Sequence, residues 1–114
     1  MPSAPGVYWL RSENRIIYIG ESGDLRRRLS EHADKEAVRF QYDTLSEYCS
    51  RYPVSRPLGM SDRTLRYKIE NTEFRAYRAR FGGLPPENTN DNHYEAGLLE
   101  ETLDYIHSVG NRWF

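Results

Sequence analysis

Apolar and polar positions alternate in two short runs near the N-terminus. Val7 to Arg11 and Ile16 to Ile19 are rich in β-branched and aromatic residues and flank a polar turn, Ser12-Glu13-Asn14, which predicts a β-hairpin. A three-residue turn with Asn14 in the left-handed conformation sets Tyr8 opposite Tyr18 and Gly6 opposite Gly20, with both phenols on one face. A two-residue turn shifts the pairing by one and sends the phenols to opposite faces. After Gly20, Glu21-Ser22-Gly23 leads into a helix predicted from an Asp24 N-cap to about Ala33. Leu25, Arg28, Leu29 and His32 recur at helical spacing, so one stripe carries two leucines, an arginine and a histidine, while Arg26 and Arg27 point elsewhere. The apolar neighbours aim Arg28 and His32 toward the hairpin.

Further along, Thr44-xx-Glu47 reads as a capping box opening a short helix, with Cys49 in its core among Leu45, Tyr48 and Tyr52. Leu65, Tyr67 and Ile69 alternate with Arg66, Lys68 and Glu70, the pattern of a half-exposed strand with a basic outer side that adds to the hairpin's sheet. Thr72 to Phe81 reads as a helix capped by Thr72 and stopped at Gly82-Gly83, with a strand as the alternative. Residues 82–92 are a polar run expected to form a mobile loop and to contact substrate. Beyond it, Leu98, Leu99, Leu103 and Ile106 share a helical stripe with Glu95, placing that carboxylate at the buried edge of an apolar face. A bound cation is one compensation for burying it. Glu100 and Glu101 fall off the stripe and face water.

Composition narrows the class without deciding it. A chain of 114 residues makes one domain, 1–114, with a modest core. It has no long apolar run and no basic-then-apolar leader pattern, so the expectation is a cytoplasmic protein with no membrane partner. Single Cys49 excludes an intrachain disulfide and a thiolate zinc cluster. The net charge of −1 hides an asymmetry. Residues 1–82 hold 15 Lys/Arg against 11 Asp/Glu, and residues 83–114 hold 1 against 6. Arginine supplies 14 of the 16 cations, which suits bidentate phosphate contact. Arg26, Arg27, Arg66 and Lys68 are the candidate DNA-binding cations. No internal repeat, Walker, dinucleotide or HExxH pattern is present.

Gly6-Val7-Tyr8, then Tyr18-Ile19-Gly20, then Leu25-xx-Arg28 and His32, resembles the GIY-YIG endonucleases, with Val7 in place of the usual isoleucine. The family also has a glutamate opening a later helix and an asparagine after it, for which the C-terminal part offers Glu95 and Asn111. The resemblance covers residues 6–32 and 94–111 and leaves a divergent middle region, about 36–93. It implies an α/β (α+β) fold, a small sandwich with a central three-stranded antiparallel sheet flanked by helices. It also implies hydrolysis of DNA phosphodiester bonds, by nicking or double-strand cleavage, with one Mg2+ or Mn2+ ion. In that reading Arg28 neutralises charge on the attacked phosphate, and a cation on Glu95 stabilises the departing 3′ oxygen. Tyr8 activates water as His32 draws off its proton, Tyr18 orients phosphate or water, and Asn111 holds the site. A single site cutting both strands implies a homodimer or two successive cuts, and with no separate recognition domain expected, a specificity-giving partner protein is the alternative.

Each of these residues has a plainer role when taken alone. Tyr8 and Tyr18 fit as sheet tyrosines, Arg26 to Arg28 as a solvated helix face, and His32 as a capping or core histidine. Glu95 fits as a carboxylate on the helix dipole, and Asn111 as a helix terminator. The ordered conjunction outweighs the single readings. Two other classes remain: a catalytically inactive nucleic-acid-binding module of the same fold, which Glu21 and the acidic C-terminal third would favour, and a protein-interaction domain built on tyrosines.

Overall fold

The computed structural model describes residues 2–32, 38–89 and 93–113. Ala33, the expected end of the first helix, lies outside them, as do Asn90, Asp91 and Asn92 of the expected loop. Among the described residues the fold is α+β, a three-stranded antiparallel sheet with four helices. Strand β1 (Gly6–Ser12) lies between β2 (Arg15–Ser22) and β3 (Arg39–Thr44), giving the order β2-β1-β3. Helix α1 (Leu25–His32) joins β2 to β3, and α2 (Leu45–Arg51) follows directly. Helix α3 (Asp62–Phe81), a 3-10 turn (Tyr94–Ala96) and α4 (Glu100–Val109) complete the chain.

Two faces of β1 serve two cores. Val7 and Trp9 face the larger one, with Ile16 and Ile19 of β2, Tyr48, the helix α3 residues Leu65, Ile69 and Phe74, and Leu103 and Ile106 of α4. Tyr8 and Leu10 face the smaller one, with Ile17 and Leu25, flanked by Tyr18, Phe40 and Tyr42. Strand β1 is thus apolar at every position from Val7 to Leu10 because both of its sides are covered.

The hairpin register resolves the choice left by the sequence. Glu13 and Asn14 both have positive φ, 52° and 69°, and form a two-residue turn between paired Ser12 and Arg15. A plain two-residue turn would separate the phenols. The register instead shifts between Leu10 and Arg11, leaving Ile17 as an extra residue in β2, so Tyr18 pairs with Leu10 and Gly20 with Tyr8. Tyr8 and Tyr18 therefore share a face as diagonal neighbours rather than direct partners.

Several expectations are corrected. The third strand is Arg39–Thr44, and the 65–70 segment is the second and third turns of α3. Ser61 caps α3 through its hydroxyl and Gly82, at φ 83°, ends it. Thr72 is buried in mid-helix, its Oγ1 donating to the Lys68 carbonyl at 2.7 Å and accepting from Leu99 N–H at 2.9 Å. The capping box of Thr44 and Glu47 forms as expected, but Cys49 is exposed.

Candidate active site

Three elements meet on the smaller-core face. Strand β1 supplies Tyr8, β2 supplies Tyr18, and the last turn of α1 supplies His32. The Tyr8 ring centroid lies 5.9 Å from that of Tyr18 and 5.8 Å from that of His32, and the Tyr18 and His32 centroids are 6.1 Å apart. Phe40 of β3 stacks on the other side of Tyr8 at 5.1 Å. Gly20 makes this possible: a Cβ there would lie 2.6 Å from the Tyr8 ring and hydroxyl and 2.8 Å from the Tyr18 ring. Leu25 anchors α1 in the small core, and its N–H donates to the Ala4 carbonyl at 2.9 Å. The helix's arginine and histidine thereby overhang the hairpin.

The Tyr8 phenol is held far above its ordinary value of 10.0. Burial is the main cause, followed by Tyr18; Arg28 pulls the other way, while the hydrogen bond with Tyr18 and the charge of Glu70 push up. The hydroxyl is therefore a neutral proton carrier at neutral pH, and it takes up a proton only as it passes its own on. Arg28 is half-exposed, its Nη1 donating to Glu31 at 2.8 Å, and its Nε is buried with no hydrogen-bond partner among the described residues. Arg26 and Arg27 are exposed on the outer side of α1.

The remaining expected site residues lie elsewhere. Glu95 is exposed on the 3-10 turn, because Gly97 at φ 85° breaks the helix before Leu99 and α4 begins only at Glu100. The apolar stripe of α4 is real, with Leu103 and Ile106 buried, but Glu95 is not on it. Asn111 is buried on the opposite side of β1, where its Nδ2 donates to both Glu73 oxygens at 2.8 and 3.0 Å. Trp9 Nε1 and the Tyr48 hydroxyl donate to the same carboxylate at 3.1 and 2.8 Å. Burial raises Glu73 to about 7 in spite of these donors. Asn111 thus serves the larger core rather than the phenols. Arg66 is spent internally, its Nε donating to Glu21 at 2.7 Å, and the Lys68 ammonium sits against Gly97. The same ion pair neutralises Glu21.

The family model of the GIY-YIG catalytic domain matches residues 4–52. Residues 4–52 are therefore similar to this domain. The GIY-YIG match takes in β1, β2, α1, β3 and α2, and hence Tyr8, Tyr18, Arg28 and His32, and it implies a nuclease-type function. No curated protein and no solved structure shows a significant match to the chain. No described helix is long and apolar enough to cross a membrane.

Beyond the GIY-YIG match, the structure brings two unforeseen residues to the hairpin. Glu70 of α3 is 7% exposed and its charge acts on Tyr8. Arg66, one turn earlier, holds the end of β2 through Glu21, which sets the Glu70 face of α3 over the hairpin. Asn88 grips the outer edge of β2, accepting from Ile19 N–H at 2.9 Å and donating to the Ile19 carbonyl at 3.0 Å. Glu87 N–H adds a bond to the Ile17 carbonyl at 2.8 Å, so this part of the expected mobile loop is tied to the sheet. A sequence signal for Glu70 existed: Leu65, Ile69, Glu73, Ala76 and Tyr77 are buried at helical spacing between the Ser61 cap and Gly82. Asn88 had none, because its partner is the backbone of a distant strand.

Proposed function

We propose that the chain is a divalent-metal-dependent endonuclease hydrolysing DNA phosphodiester bonds, with Tyr8, Tyr18, Arg28, His32 and Glu70 as its reactive groups and Asn88 as a positioning residue. The observation that carries this reading is the convergence of two phenols and an imidazole beside a buried carboxylate and a half-exposed arginine. The single domain then extends past the family match, because α3 and the 82–89 segment complete the site.

Arg28, its side chain 37% exposed, faces the developing negative charge of the attacked phosphate. Tyr8, kept neutral by burial, receives the proton of the attacking water as its own passes to a neighbour, for which His32 is placed. Tyr18, hydrogen-bonded to Tyr8, orients that exchange. Asn88 fixes the backbone of Ile19 and so the strand between the two phenol-bearing positions.

A metal fits this donor set at Glu70 and not at Glu95. Among the described residues no group of three or more His, Cys, Asp or Glu side chains converges, so a resident ion would rest on one carboxylate with water and phosphate oxygens, a shell that suits Mg2+ or Mn2+. Bound at Glu70, it would supply Lewis-acid stabilisation of the departing 3′ oxygen.

Incubation with supercoiled plasmid tests the proposal, magnesium against chelator, resolving nicked from linear product. Magnesium-dependent nicking by the wild type, lost in Tyr8→Phe with an unchanged melting temperature, is the expected result. Salt-sensitive DNA binding without any cutting would point to a catalytically inactive binding module instead.

A further inference from the structure

On the larger-core side, at the turn end of the hairpin, a cleft of about 600 Å³ opens between β1, β2 and the C-terminal end of α3. Its cations are Arg11, Arg15 and Arg80, its aromatic walls Tyr77, Phe81 and Trp113, and among the described residues no carboxylate lines it. Arg11 donates to the carbonyl oxygens of Trp113 and Asn14 and forms no salt bridge among the described residues. Its like-charged neighbour Arg39 and its burial both act against its charge. Arg15 and Arg80 are exposed and form no salt bridge among the described residues; Arg80 lies 5.5 Å over the Phe81 ring.

Among the described residues, Arg11 Nε and Trp113 Nε1 are buried without a hydrogen-bond partner, and Trp113 is only 9% exposed. Phe81, 56% exposed, forms a platform edge beside Tyr77 at a ring separation of 4.5 Å. Arginines fit a phosphate bidentately, and an aromatic platform fits a planar base; a volume of several hundred cubic ångströms holds both.

We propose that this cleft is a nucleoside-phosphate site, separate from the phenol site, in which the arginines take the phosphate and the aromatic walls take the base. The occupant is either a free nucleotide or one unstacked nucleotide of a strand. The chemistry is the same and the experiment separates the sources.

Titration of the whole chain without divalent ion, followed by tryptophan fluorescence, tests it with two probes, adenosine 5′-monophosphate and a short single-stranded oligodeoxyadenylate. Quenching by the mononucleotide assigns a free nucleotide, and quenching by the oligonucleotide alone assigns a strand. In either case the double variant Arg15→Ala/Arg80→Ala should lose about tenfold or more in affinity, as expected for a charge-assisted phosphate contact. Phe81→Ala should weaken binding independently by removing the stacking edge, and melting curves check that both variants fold. Absence of quenching by either probe, or affinity unchanged in both variants, overturns the proposal. Because cutting is read separately on plasmid with magnesium, an inactive phenol site would leave this result intact.

Discussion

Asn88 and Ile19 are joined by a reciprocal pair of hydrogen bonds, side-chain amide to backbone amide, at 2.9 and 3.0 Å. An asparagine can complete this pair because its side chain carries one acceptor and one donor group, the complement of a strand's own edge. Asn88→Ala should cost about 1–3 kcal/mol of stability through the lost bonds and the unsatisfied Ile19 groups. Asn88→Asp should be worse than a simple loss of one bond, since its carboxylate would face the Ile19 carbonyl. Chemical denaturation read by circular dichroism measures both, and wild-type stability in the two variants would remove Asn88 from any positioning role.

Gly20 lies directly under Tyr8, so a methyl group there must displace a phenol. Gly20→Ala should lose on the order of 1–3 kcal/mol of stability, the usual range for overpacking. It should also lower plasmid nicking by more than tenfold, since Tyr8 and Tyr18 would be pushed out of register with His32. Nicking at the wild-type rate would show that the close approach of Gly20 to the rings has no bearing on turnover.

Glu70 and Glu95 make opposing forecasts for the metal. Glu70→Gln should fold normally and lose magnesium-dependent cutting, whereas Glu95→Gln, altering an exposed carboxylate on the 3-10 turn, should cut at close to the wild-type rate. The reverse outcome in the plasmid assay would return the ligand role to Glu95.

The three arginines of α1 should behave differently. Arg28→Ala should abolish cutting while leaving most DNA binding, and Arg26→Ala or Arg27→Ala should mainly weaken binding and flatten its salt dependence. Equal loss of turnover in all three would mean that the helix presents them equivalently.

Glu73 gives stability a pH dependence of known sign. Its pKa rises from 4.5 to about 7 on folding, so the folded state holds the proton more tightly and the benefit is full below pH 4.5. The benefit is lost as pH rises toward and past the folded value, by roughly 3 kcal/mol at most at 1.36 kcal/mol per pKa unit. Glu73→Gln removes the titration, so its stability relative to wild type should improve between pH 5 and pH 8. Melting curves at the two pH values that show a constant difference would overturn this assignment.

The residues legible from the sequence are those whose partners lie close along the chain. Tyr8, Tyr18, Arg28 and His32 sit on one hairpin and one short helix, where local spacing sets the face. Glu70 was hidden because six residues, Leu65 to Glu70, alternate as a strand would, and because α3 buries Glu70, Asn71, Thr72 and Glu73 together, which blurs its apolar stripe. Those polar groups are satisfied by distant partners such as Trp9, Leu99 and Asn111, none visible from local pattern. The third strand, Arg39–Thr44, leaves no local pattern for the same reason: it is an edge strand with only Asp43 fully buried, and that residue is held by Arg51 and Arg112.

The extra residue in β2 changes how the distance between two motifs should be measured. Ile17 has no partner in β1, so its removal would shorten the chain between Tyr8 and Tyr18 while leaving Tyr18 opposite Leu10 and Gly20 opposite Tyr8. A ruler laid along the sequence counts Ile17 between the two tyrosines, yet the pairing across the sheet passes over it. Whether the phenols meet is decided by which residue faces the bare backbone of Gly20, not by how many residues lie between them.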